Sequence, residues 1–148
     1  VTAQVVTALA ALVAAGAVLA VQAPVNAVLS RGAGDPVVAA TVNFGVGFLF
    51  CLTICVLRGV GPQAGMIAMV PNWAWFGGVL GGTYIATLIF AVPITGALTA
   101  AVATVLGQLV MALLLDRIGA FGMPVQEITW QRVAGVGLVF AGLLLTRA

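Results

Sequence analysis

Lysine and histidine are missing from this 148-residue chain, and serine occurs once, at Ser30. Three acidic residues and five arginines carry all the charge, 5% of the sequence, for a net charge of +2. Each shortage removes a class of protein. Nucleophile–base catalysis lacks its parts, so an enzyme is not expected. No acidic residue falls inside an apolar run, which disfavours a proton pump built on an embedded carboxylate relay. A metal site would have only two thiols, Cys51 and Cys55, and their four-residue spacing within one apolar run reads as small packing residues on one helix face. No metal or cofactor is expected. The arginines are scattered at the ends of apolar runs, so nucleic acid has no basic patch to bind. Eight charged residues are also too few to cover a soluble domain of this size.

What is present is hydrocarbon: 64% of the residues are hydrophobic and mean hydropathy is +1.29. A spanning helix needs roughly 20 mainly apolar residues, and a spanning β-strand would show period-two alternation instead. The long runs of Ala, Leu, Val and Gly predict a single all-α domain, 1–148, with about five transmembrane helices. Span one runs from Val5 to Leu29, with Pro24 breaking its last turns. Asp35–Pro36 is a helix start, an acidic cap followed by proline at the first helical position, and opens a span from Pro36 to Leu57. Asn72 caps a third span from Trp73 to Val92, closed by Pro93. Thr95 caps a fourth that reaches Leu115. Thr129 caps the last, Trp130 to Thr146, whose length of roughly 25 Å suits only a thin bilayer. The N-terminal run lacks the positive region of a secretory signal and is too long for one. The chain begins at Val1 rather than Met, which leaves room for a short leader ahead of it.

With five spans, Arg58, Arg117 and Arg132 share one side of the membrane, against Arg31 and Arg147 on the other. Ordinary orientation needs a clear excess of arginine and lysine in the cytoplasm. The near balance reflects either poor counting statistics in a charge-poor chain or dual topology, in which copies insert both ways and pair antiparallel.

Helices associate in lipid where small residues let backbones approach. Such residues recur at intervals of four: Ala39, Asn43, Gly47, Cys51 and Cys55 in span two, Gly77 with Gly81 and Gly78 with Gly82 in span three, and Gly96, Ala100, Thr104, Gln108 and Ala112 in span four. Polar side chains at depth are few. Gln22 and Asn26 flank Pro24, which removes the hydrogen bond to the Ala20 carbonyl. Tyr84 lies mid-way along span three and Gln108 near the middle of span four. Asn43 is expected to clamp helices, whereas Gln22, Asn26, Tyr84 and Gln108 are expected to line a substrate pocket. Trp73, Trp75 and Trp130 fit a headgroup-level aromatic belt.

Three segments carry a resemblance. QAPVNAVLSRGAGDP with the following FGVG, the WAWFGGVLGGTY cluster, and GQL followed by Asp116 to Gly122 (DRIGAFG) resemble the small YdcZ-like branch of the drug/metabolite transporter (DMT) superfamily. The resemblance implies a five-helix half of a ten-helix inverted-repeat bundle. It also implies a partner, either an antiparallel second copy or a paralogous half-unit. Unlike the four-helix multidrug branch, span one holds no acidic residue. The expectation is a multi-pass transporter of small metabolites in a bacterial inner membrane, surrounded by lipid and working by alternating access as an antiparallel homodimer. A non-transporting scaffold or accessory subunit is the alternative.

Overall fold

The computed structural model describes residues 3–146; Val1 and Arg147, used in the arguments above, lie outside the described residues. The described part is built from helices: α1 (Ala3–Ala33), α2 (Pro36–Leu57), a single turn α3 (Ala64–Ile67), a 3₁₀ segment (Asn72–Phe76), α4 (Gly77–Thr95), α5 (Ala97–Ile118), a 3₁₀ turn (Ala120–Gly122) and α6 (Trp130–Leu145). Four stretches are long and apolar enough to cross a bilayer: α1, α2, the 3₁₀ segment with α4, and α5. The fifth, α6, is apolar but has 16 residues. It rises about 24 Å, against roughly 30 Å of hydrocarbon. The chain divides into two compact units, Val1–Ile94 and Thr95–Ala148.

The start of α2 follows from two residues. Asp35 is extended (φ −154°), and its Oδ1 accepts hydrogen bonds from the amides of Val37 (2.7 Å) and Val38 (3.0 Å), with Pro36 in the first turn. Two of the four amides that a helix N-terminus leaves without internal partners are thereby satisfied. The end of α2 is equally defined. Gly59 takes φ +63° and donates to Val56 O, while Val60 donates to Cys55 O, both at 3.0 Å. This paired return of bonds onto the last turn needs a residue that tolerates the left-handed conformation.

Prolines behave differently from expectation. The α1 helix runs without interruption through Pro24, and α4 continues through Pro93 to Thr95. The expected break at Pro24 and stop at Pro93 are both corrected. Unwinding an apolar segment in lipid would release further carbonyls and amides with no water to receive them, so losing one hydrogen bond is the smaller penalty. Thr95 therefore closes α4 rather than capping α5. The break falls at Gly96, whose φ of +80° is open to glycine at no steric cost. Asn72 likewise lies inside the 3₁₀ segment, preceded by Pro71. Thr129 does stand at the start of α6, although its side chain makes no capping bond there.

The core of the first unit is small. Ala39 and Ala40 of α2 pack with Ile85 and Ile89 of α4, and Leu29, Ala33, Tyr84 and Ala86 lie against them. The small alanine side chains leave room on α2 for the two isoleucines of α4. Gly81 serves the same end, since a Cβ there would sit 3.5 Å from Cζ of Phe44. Among the described residues, the other glycines expected to pack have no close neighbour in their own unit. No atom beyond its own helix lies within 4 Å of a Cβ built on Gly47, Gly77, Gly78, Gly82 or Gly96. Their faces are open because small residues permit close approach but do not create it.

Threonines at depth look after themselves. Thr7, Thr41, Thr53, Thr83, Thr87 and Thr104 each donate a hydroxyl hydrogen bond to the carbonyl four residues earlier, at 2.8–3.0 Å. Such back-bonding lets a hydroxyl sit in hydrocarbon with its donor satisfied.

Candidate functional site

With the hydroxyls occupied, the side-chain amides are the groups to follow. On α1 the residues Ala23, Asn26 and Ala27 are buried, one face of the helix spaced by three and four. Gln22, half-buried on the same side, donates from Nε2 to Oδ1 of Asn43 on α2 at 3.3 Å. The bond ties the two helices of the α1–α2 hairpin. Asn43 had been expected among helix-packing residues and Gln22 among pocket residues; the structure pairs them. An open recess of 420 Å³, almost wholly apolar, lies beside Gln22 and is lined by Ala17, Val18 and Val21.

Asn26 is the unusual member. It is 3% exposed, and among the described residues its Nδ2 has no hydrogen-bond partner. Buried polar groups are almost always paired, and leaving a donor unpaired costs roughly 1–3 kcal/mol. Asn26 follows Pro24 by two residues, so a stretch already short of one helical bond also holds an unfilled donor. Helices α1 and α2 thus carry three amides, two joined by one hydrogen bond and a third with an unfilled donor.

The other expected pocket residues are placed differently. Tyr84 is half-buried against the Ala39–Ala40–Ile85–Ile89 cluster. Gln108 belongs to the second unit and is exposed on α5. Trp73, Trp75 and Trp130 are exposed at the beginnings of helical segments, as residues with an apolar ring and a polar N–H should be at a headgroup boundary.

The second unit contains a polar pair that sequence reasoning missed. Arg132 Nη1 donates to Asp116 Oδ2 at 3.0 Å, joining the end of α5 to the first turn of α6. Both side chains are more than a third exposed, so screening keeps the pair's contribution within roughly 1 kcal/mol. The carbonyl of Asp116 also accepts from Gln126 N at 2.9 Å. Chain order offers only a weak signal, since the connection 119–129 separates the two helices.

These elements define a multi-pass membrane protein: four helices of spanning length, a fifth shorter one, and a surface of exposed Val, Leu, Ile and Phe that only lipid would accept. The family model described as "Putative inner membrane exporter, YdcZ" matches residues 7–145, and the chain belongs to this DMT-type family. Comparison with curated proteins and with solved structures found no match. Membership makes the protein one of an inner-membrane exporter family and points to transport rather than catalysis.

Proposed function

We propose that the protein exports small neutral or zwitterionic metabolites, working by alternating access as an antiparallel homodimer. The observation that carries this reading is Asn26, a buried amide with an unfilled donor beside the Gln22–Asn43 pair. A solute bearing a carbonyl or carboxylate oxygen would fill that donor, and the Gln22–Asn43 bond could open to supply a further donor and acceptor. Tyr84 would add a ring with a polar tip; Gln108, an exposed amide of the second unit, is a separate candidate for solute contact. No acidic side chain lies in the described spans outside their ends, so the mechanism is facilitated diffusion or exchange rather than proton coupling.

Pairing rests on separate support. A five-span unit inverts naturally on duplication, and the arginines divide nearly evenly between the two sides. The open glycine faces of α4, at Gly77, Gly78 and Gly82, are suited to close approach by a second copy.

A specific observation also favours the scaffold reading: the Gln22–Asn43 bond is what a helix clamp would show. Flux of a labelled zwitterionic solute into proteoliposomes separates the two. A transporter shows saturable flux that falls in Asn26→Ala, while a scaffold shows none. Strict dependence on a proton gradient that survives substitution of Asp35, Asp116 and Glu127 would sink the proposed pocket chemistry. Reporters fused to the C-terminus test the pairing, since dual topology places the end on both sides of the membrane and a fixed topology places it on one.

A further inference from the structure

The Asp116–Arg132 pair borders a groove. Leu109, Ala112 and Leu113 of α5 and Gly135 and Val136 of α6 line an open cavity of 310 Å³ together with the two charged side chains. Two small residues make the space. A Cβ on Gly135 would meet nothing within 4 Å, and Ala112 on α5 projects only a methyl group. The walls are hydrocarbon, and a dry apolar groove in a membrane is filled by an acyl chain rather than by water.

The charged pair is partly engaged. Among the described residues, Asp116 uses Oδ2 and Arg132 uses Nη1 for their mutual bond, leaving Oδ1 as an acceptor and the rest of the guanidinium as donors. The loop holds Asp116 in place. Gly119, at φ +60°, turns the chain back so that Gln126 N reaches the Asp116 carbonyl, and Val125 packs where a Gly119 side chain would be. One acceptor and several donors, side by side at the border of an apolar groove, match a head group carrying a primary ammonium and a phosphate on a hydrocarbon tail.

We propose that the α5–α6 groove is a binding site for a zwitterionic aminophospholipid of the phosphatidylethanolamine type. One acyl chain lies along Leu109, Ala112, Leu113, Gly135 and Val136. The ammonium N–H groups donate to Asp116 Oδ1, and the phosphate oxygens accept from Arg132. A choline head group has the same charges but no N–H to donate, and a glycerol head group offers no cation to Asp116. The site discriminates by those two differences.

The test is thermal unfolding and native mass spectrometry of the purified full chain in detergent, titrated with dioleoyl phosphatidylethanolamine, phosphatidylcholine or phosphatidylglycerol. Phosphatidylethanolamine should be retained and should raise the unfolding temperature more than the other two lipids. Arg132→Gln should weaken its binding about tenfold, the loss of one charge-assisted contact. Gly135→Leu fills the groove while leaving the ion pair intact, and should abolish retention in a protein that still folds. Equal stabilisation by all three lipids, or unchanged phosphatidylethanolamine binding in a folded Gly135→Leu variant, would overturn the assignment. Because binding is read without flux, its failure is distinct from failure of the transport proposal.

Discussion

Asn26→Ala separates a residue kept for stability from one kept for work. The side chain is 3% exposed with an unpaired Nδ2, and relieving such a donor returns roughly 1–3 kcal/mol. Against this, the truncation leaves a space about the size of one water, roughly 30 Å³. At about 24 cal/mol per Å³ that space costs about 0.7 kcal/mol. Alanine is also a better helix former than asparagine by a few tenths of a kcal/mol. The variant should therefore be about 0.5–2.5 kcal/mol more stable than the parent, an unusual sign for a large-to-small change at a buried position. Reversible unfolding in mixed micelles, followed by far-UV circular dichroism, measures the difference. Flux in proteoliposomes at matched protein density should fall at least tenfold in the same variant. A loss of more than about 1 kcal/mol would show that Asn26 has a partner essential to the fold. A stabilised variant with full flux would show that the free donor has no part in transport.

Other expectations are more local. Asp35→Ala removes both bonds to the first turn of α2 and should lower stability by about 1 kcal/mol in the same unfolding assay. Gly119→Ala should be worse, by roughly 1–2 kcal/mol for the left-handed backbone alone, since its Cβ would also lie 2.8 Å from Val125 Cγ2. A double-mutant cycle of Gln22→Leu and Asn43→Leu should return a coupling near 0.6 kcal/mol, the usual size for such bonds in membranes; zero coupling would remove the bond from the account. Gln108→Leu, at an exposed position, should leave stability within about 0.5 kcal/mol and diminish flux; reduced stability with unaltered flux would favour the scaffold.

The all-helical, multi-pass character was readable because lipid makes a simple demand: an apolar run long enough to span, with punctuation that satisfies its ends. Asp35–Pro36 is such punctuation, and it falls where the residues place it. Pro24 and Pro93 were misjudged because a rule learned in water, where freed backbone groups find solvent, was carried into a medium that offers none. The amides could be listed from the sequence but not paired. Whether Gln22 meets Asn43 depends on the register of α1 against α2, which is a property of the packed hairpin and not of either helix's sequence alone. The Asp116–Arg132 contact was hidden for a related reason, since Arg117 is the nearer arginine along the chain while the α5–α6 turn presents Arg132 in space.

The threonine bonds have a consequence for selectivity. Six hydroxyl donors point back into their own helices, so a passing molecule must displace an intramolecular partner before it can use any of them. Discrimination among cargoes then falls to a handful of amides and to contour, a vocabulary too small to tell close chemical cousins apart. On the proposed function, such a pathway would reject molecules for bulk or net charge more readily than for the pattern of their functional groups.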